Sequence, residues 1–260
     1  MEIAYVNGVR ICYESTGEGF PVVAIAGRDS SMQSWPPAIK SALSRGHRLI
    51  VFDHRGTGQS DKPEVPYTIA DMAGDVVGLL DALGIGRAHV LGMSMGGMIA
   101  QEIAISHPER VARLVLCSTT GGATRVIPTW KMMKQLARKP AAYEPQQTLD
   151  MLYTPAFRRE HPELMAALAA RMQSSPPHPA SMAIHRQASK RFDSFGRLRR
   201  ISSPTLVIHG EEDWVFRPKH AKLLHRRIAG SQLLLLPGAG HGALFQEPLA
   251  IEKALAFLDA

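Results

Sequence analysis

Gly92-Met93-Ser94-Met95-Gly96-Gly97 sets one serine between close-spaced glycines, directly after an apolar run and directly before a helical pattern. A G-x-S-x-G turn at a strand-to-helix junction holds a serine hydroxyl proud of a sheet, and the flanking glycines leave room for so sharp a turn. The same six residues also read as a glycine-rich turn capped by a serine, and the motif alone is common by chance. A hydroxyl is a weak nucleophile at neutral pH, so a catalytic serine needs a base, and the base needs an acid to orient it. Eleven histidines are available. His241 stands apart, in Pro237-Gly238-Ala239-Gly240-His241-Gly242 just past the last apolar run; His209 lies within a run and reads as core or support. His47, His107, His178, His220 and His225 read as surface or loop residues. For the acid, Asp213 in Gly210-Glu211-Glu212-Asp213 leads, with Glu211 and Glu212 as rivals or as a solvated acidic turn.

These residues need a scaffold that ends several strands at one place. Residues 3–15 alternate about Asn7-Gly8, a dipeptide suited to a tight hairpin. Six further apolar runs, at 22–26, 48–52, 88–93, 111–117, 205–209 and 232–236, lack polar alternation, as strands buried on both faces do. Helical patterns at 35–45, 69–83, 95–106, 218–229 and 247–259 separate them, with Thr68 and Asp71 spaced as a capping box and Gly84 as a stop. Alternating strands and helices predict an α/β fold: a mostly parallel eight-stranded sheet covered on both faces, which binds ligands at the carboxyl ends of its strands.

Residues 121–200 break the alternation. They contain no convincing strand, are punctuated by Pro140, Pro145, Pro176, Pro177 and Pro179, and hold helix-like pieces near 128–138 and 161–173. We read them as a helical cap inserted into a core of residues 1–120 and 201–260. The whole chain has 260 residues and a formal charge of +7; the cap's fourteen Lys and Arg against five acids make it +9, and the core is −2. The excess therefore lies where a substrate would enter, pointing to an anionic small molecule or to an acyl chain on an acidic carrier protein; the alternative is a solvated face. No nucleic-acid recognition motif accompanies the charge.

Two cysteines, Cys12 and Cys117, are too few for a disulfide framework. Apolar runs fall short of the ~18–20 residues of a membrane span, so no membrane partner is expected. The first residues do not read as a signal peptide, which makes the cytoplasm the default location. Cys/His ligand spacing and an early G-x-G-x-x-G are both missing, so neither metal nor organic cofactor is expected.

The order Ser94, Asp213, His241 is that of the α/β-hydrolase fold, and nearly the whole chain resembles a small cap-bearing member of that superfamily. Ala26-Gly27-Arg28 matches its strand-3 loop, Asp53-His54-Arg55-Gly56-Thr57-Gly58-Gln59-Ser60 its D-x-R-G-x-G-x-S segment, Gly210 to Asp213 its G-x-x-D, and Gly240-His241 to Glu247-Pro248 its G-H-x-x-x-x-E-x-P. The resemblance implies an acyl-enzyme on Ser94, with the backbone N–H groups of Arg28 and Met95 as oxyanion donors. It also implies a structural, not catalytic, role for Asp53 and Arg55. One departure is Ala26 where the family usually has His, which removes a brace from that loop. Arg28 and Asp29 are charged there, either to contact substrate or to pair with each other.

Around Ser94 the sequence is similar to enol-lactone hydrolases, polyketide methyl-ester hydrolases and C–C bond hydrolases. The implied activity is cleavage of a carboxylic ester or lactone, with a C–C hydrolase, a cofactor-free lyase or synthase, and a non-catalytic binding relative as alternatives. Met72, Met93 and Met98 are read as packing the elbow helix, Met95 as packing and lining. Trp130, Met133, Tyr153 and Phe157 in the cap supply an apolar underside suited to a hydrophobic acyl group.

Overall fold

The structure, a computed structural model, describes residues 1–122, 143–174 and 176–260. Asn7 and Gly8 both adopt positive φ, 49° and 76°, as a two-residue hairpin turn of matching twist requires. They join β1 (Glu2–Val6) to β2 (Val9–Thr16), paired antiparallel from Glu2↔Tyr13 to Val6↔Val9. β3 (Phe20–Ile25) follows, and β4 (His47–Phe52) pairs antiparallel with β2 and parallel with β3. β5 (Ala88–Met93), β6 (Val111–Cys117), β7 (Thr205–Gly210) and β8 (Gln232–Leu236) extend the sheet in parallel. The spatial order is β1-β2-β4-β3-β5-β6-β7-β8.

The chain runs outward from β3 to β4, then returns to place β5 on the other side of β3. That reversal opens a crevice at the carboxyl ends of β3 and β5, the position where open α/β sheets bind ligands. The loop after Ile25 and the turn at Ser94 both begin there.

Successive residues of the inner strands serve opposite cores. Val23 and Ile25 pack under α2 (Ile69–Ala82) and α3 (Met95–Ser106), whereas Val22 and Ala24 pack under α1 (Pro37–Ser44). All four are fully buried, so no polar alternation is left in the strand. Met72, Met95 and Met98 join the first core and Met93 the second. Thr68 Oγ1 accepts from Asp71 N–H and Asp71 Oδ2 accepts from Thr68 N–H, closing the capping box that opens α2. Cys12 and Cys117 are free and buried.

Between β6 and β7 lie α4 (Pro145–Leu152), α5 (Pro155–Glu160), α6 (Pro162–Ser174) and α7 (Pro179–Arg191). The piece expected near 161–173 is α6; the one expected near 128–138 lies outside the described residues. Pro145 and Pro179, read from sequence as loop punctuation, instead begin helices. Proline suits the first helical position, where its missing N–H has no partner to lose. After β7 come α8 (Lys219–Arg227), α9 (Ala243–Gln246) and α10 (Pro248–Asp259). His47 and His220, expected at the surface, are buried: His47 opens β4, and His220 faces inward from α8 with Nδ1 at 3.1 Å from Thr120 Oγ1.

Candidate active site

Ser94 has φ 55° and ψ −117°, a left-handed conformation that costs a side-chain-bearing residue about 1–2 kcal/mol. Crowding enforces it. A Cβ on Gly92 would meet Gly96 O at 2.3 Å, and one on Gly96 would meet Ile25 O at 2.1 Å, so only glycine lets α3 rise this steeply against β3 and β5. Ser94 N–H donates to Cys117 O (2.9 Å), and Thr119 Oγ1 donates to Ser94 O (2.7 Å). The side chain makes no capping bond to α3, which separates it from a serine serving only as a helix cap. Its Oγ lies instead 3.0 Å from His241 Nε2.

His241 is 3% exposed, on the loop after β8. Its Nδ1 donates to Asp213 Oδ2 at 2.8 Å, leaving Nε2 as the acceptor facing the Ser94 hydroxyl. Asp213, 2% exposed, follows β7. Glu211 and Glu212 are exposed. The turn itself aims Asp213 inward, because Val215 N–H and Phe216 N–H both donate to its Oδ1, at 2.8 and 2.9 Å. Burial alone would raise the Asp213 pKa, but His241 and His209 together bring it below the usual carboxylate range. His209 is a partner that sequence reading left as core or support: its Nε2 lies 3.1 Å from Asp213 Oδ2 and 2.5 Å from Phe216 O. Both neighbours are acceptors, so this nitrogen carries the proton and gives Asp213 Oδ2, which accepts from His241, a second donor.

The loop after β3 passes against the serine; a Cβ on Gly27 would sit 3.5 Å from Ser94 Cβ. The missing imidazole at position 26 has a substitute. His54 Nε2 lies 3.0 Å from Ala26 O, and burial, with His185 nearby, pushes His54 down to about 4. The neutral ring therefore donates to that carbonyl and braces the loop from the end of β4. Asp53 ties the turn at Met32 to the segment after β4, its carboxylate accepting from Met32 N–H and Gln59 N–H, both at 2.7 Å. Arg55 is bound through two nitrogens to Asp75 of α2, both at 2.5 Å. Arg28 and Asp29 do pair, at 3.2 Å. Met95 opens α3, and the N–H of a first helical residue has no carbonyl partner within its helix.

The loop carrying His241 is held by the helices that lie between β6 and β7. Gly242 N–H donates to Leu152 O (2.6 Å), and Gln246 ties Gly240 N–H (3.1 Å), Gly238 O (2.7 Å) and Thr154 Oγ1 (3.2 Å) together. Gln246 escaped the sequence reading: it is the fifth residue after His241 and occupies the position where the G-H-x-x-x-x-E-x-P pattern has its Glu, Glu247 standing one residue later. Tyr153 is buried with Leu149, Met165 and Leu168 and stacks on Phe157 at 5.3 Å, in a cluster that Phe245 also packs against. Trp130 and Met133 lie outside the described residues. Among the described residues, no group of three or more His, Cys, Asp or Glu is arranged to hold a metal ion, and no helix is long and apolar enough to cross a membrane.

A family model described as alpha/beta hydrolase fold matches residues 21–248. The chain is 32% identical over 250 residues to a putative carbamate hydrolase RutD from Variovorax paradoxus (strain S110), covering 94% of this chain and 93% of that protein. Its structure is similar to that of the enol-lactonase from Burkholderia xenovorans LB400, with TM-score 0.85 and 28% identity over the full length of both chains. It is also similar to a meta-cleavage product hydrolase from Pseudomonas fluorescens IP01, with TM-score 0.84 and 26% identity, covering 100% of this chain and 97% of that one.

Proposed function

The chain belongs to the α/β hydrolase fold family, and from that premise we propose that it is a serine hydrolase cleaving a carboxylic ester or lactone through an acyl-enzyme on Ser94. The observation that carries this reading is the unbroken line from Ser94 Oγ to His241 (3.0 Å) to Asp213 (2.8 Å). His241 Nε2 takes the hydroxyl proton as Ser94 Oγ attacks the substrate carbonyl. Negative charge then develops on the carbonyl oxygen, where the N–H groups of Arg28 and Met95 receive it. His241 returns the proton to the leaving oxygen; a water, deprotonated by the same imidazole, releases the acid. Asp213 stays ionised throughout and holds the imidazole in the tautomer that accepts at Nε2.

The ester or lactone reading is supported by likeness to the enol-lactonase along the whole chain. C–C bond hydrolysis is the second reading, favoured by likeness to the meta-cleavage product hydrolase; the carbamate hydrolase name of a relative makes a carbamate a third bond to test. Residues 121–200 act in this reading as a cap whose positive charge draws in an anionic substrate. Steady-state assays on an ester, a lactone, a carbamate and a vinylogous diketone compare these bonds. Fastest turnover of an ester or lactone is expected; an enzyme that cleaves only the diketone or the carbamate overturns the reading. For a carboxylated ester, kcat/KM is expected to fall several-fold as ionic strength rises from about 0.01 to 0.15 M, where the screening length shrinks from roughly 30 to 8 Å. Its neutral analogue is expected to show little change. Equal salt dependence of the two would remove the role given to the cap's charge.

A further inference from the structure

We propose that His185, on inserted helix α7, is a positioning residue for the oxyanion loop, holding Asp29 and through it the peptide that presents the Arg28 N–H. The inference rests on the serine-hydrolase reading given above.

Asp29 follows Arg28 directly and has φ 60°. A positive φ costs aspartate less than most side-chain-bearing residues, and what fixes this one in place is its carboxylate, which has two partners. Arg28 Nε lies 3.2 Å from Oδ2, but that side chain is 37% exposed and belongs to the same loop, so the pair travels with the loop and anchors nothing. His185 differs in both respects. Its side chain is fully buried, it comes from 156 residues away, and its Nδ1 lies 3.2 Å from Asp29 Oδ1. The other ring nitrogen, Nε2, is 3.0 Å from Arg55 O; both neighbours are acceptors, so the ring links them when each of its nitrogens carries a proton and donates.

Arg55 is itself fixed to Asp75 of α2, so His185 joins the oxyanion loop to a rigid part of the core. His54, whose ring centre lies 6.3 Å from that of His185, holds the same loop at Ala26 O. The two imidazoles thus secure the residues on either side of Gly27 and Arg28. An oxyanion donor works only within about 2.7–3.1 Å of the developing charge, and release of one end lets the N–H swing out of that range. Because His185 belongs to the insertion, seating of those helices also sets the electrostatics of the serine site.

The test compares His185→Phe, His185→Gln, Asp29→Asn and the His185→Phe/Asp29→Asn double variant in the full chain, with a nitrophenyl ester as substrate and a trifluoromethyl ketone as the tetrahedral-adduct inhibitor. In His185→Phe, kcat is expected to fall about tenfold, less than the roughly 10²–10³ that deleting an oxyanion donor costs. Inhibitor affinity falls in parallel, KM and affinity for the product acid change less than about twofold, and His185→Gln recovers part of the loss. The double variant is expected to be no worse than the poorer single variant, since both changes act on one connection, Asp29→Asn by leaving a neutral oxygen where a carboxylate accepted. An unchanged kcat overturns the proposal, and so does a rise in KM with inhibitor affinity intact, because that is the pattern of an insertion merely loosened. Should His185→Phe fail to fold, Asp29→Asn and His185→Gln decide by the same criteria. Covalent labelling of the wild-type protein by a fluorophosphonate separates the two levels: labelling with indifferent His185 and Asp29 variants defeats this inference alone, whereas no labelling of Ser94 defeats the serine reading and this inference with it.

Discussion

Replacing His241 with alanine is expected to lower kcat for an activated ester by about 10⁴- to 10⁶-fold, with KM changed little. Ser94 Oγ has its proton acceptor in His241 Nε2 at 3.0 Å, and the neighbouring base, His209, is turned toward Asp213 and Phe216 O. Ground-state binding does not use the imidazole, which is why the loss appears in kcat. Asp213 is left buried and short of one donor in this variant, so a modest fall in Tm accompanies the kinetic loss. Steady-state kinetics on the purified variant check the expectation; activity within tenfold of wild type would remove His241 from its assigned role.

Asp213→Asn is expected to cost about 10⁴-fold in kcat while the fold is kept. The asparagine oxygen can still accept from Val215 N–H and Phe216 N–H. Its amide group, however, brings N–H donors to the position where Oδ2 now accepts from both His241 Nδ1 and His209 Nε2. His241 must then carry its proton on Nε2, the wrong nitrogen for taking one from Ser94. The variant also has a signature in stability. The Asp213 pKa is depressed in the folded protein, so the folded state binds fewer protons there than the unfolded state does. Its contribution is present above the unfolded carboxylate value near 4 and is lost as pH falls toward the folded one. The stability advantage of wild type over Asp213→Asn is therefore expected to shrink below about pH 4, as thermal melts across an acid series would show. An advantage that stays constant with pH would mean that the carboxylate is not held ionised.

The elbow is legible in sequence because sterics leave it no alternative: Gly92 and Gly96 face backbone oxygens closer than any side chain could tolerate. Strand-to-helix alternation likewise reports a sheet buried on both faces, since Val22 and Val23 serve different cores. Asp213 already led Glu211 and Glu212 in the sequence by its place in the G-x-x-D pattern; the physical reason lies in the turn, where two main-chain N–H groups draw one carboxylate of the three inward. The helices opened by Pro145 and Pro179 were hidden because proline marks a loop and a first helical position equally well. His54 and His185 were hidden for another reason. Each acts across 28 or 156 residues of chain on atoms that only the stacking of β3, β4 and the helices between β6 and β7 brings near. No local pattern announces such a contact. The loss of histidine at position 26 raised the question of a brace, and the structure answers it from a strand two elements away in the chain.

Reaction of the wild-type protein with a fluorophosphonate, followed by peptide mass mapping, tests the central claim most directly. The account predicts a single adduct on the peptide containing Ser94. It also predicts that Ser94→Ala abolishes labelling, and that His241→Ala slows it by orders of magnitude. An adduct on another serine, or labelling that persists in Ser94→Ala, would contradict it.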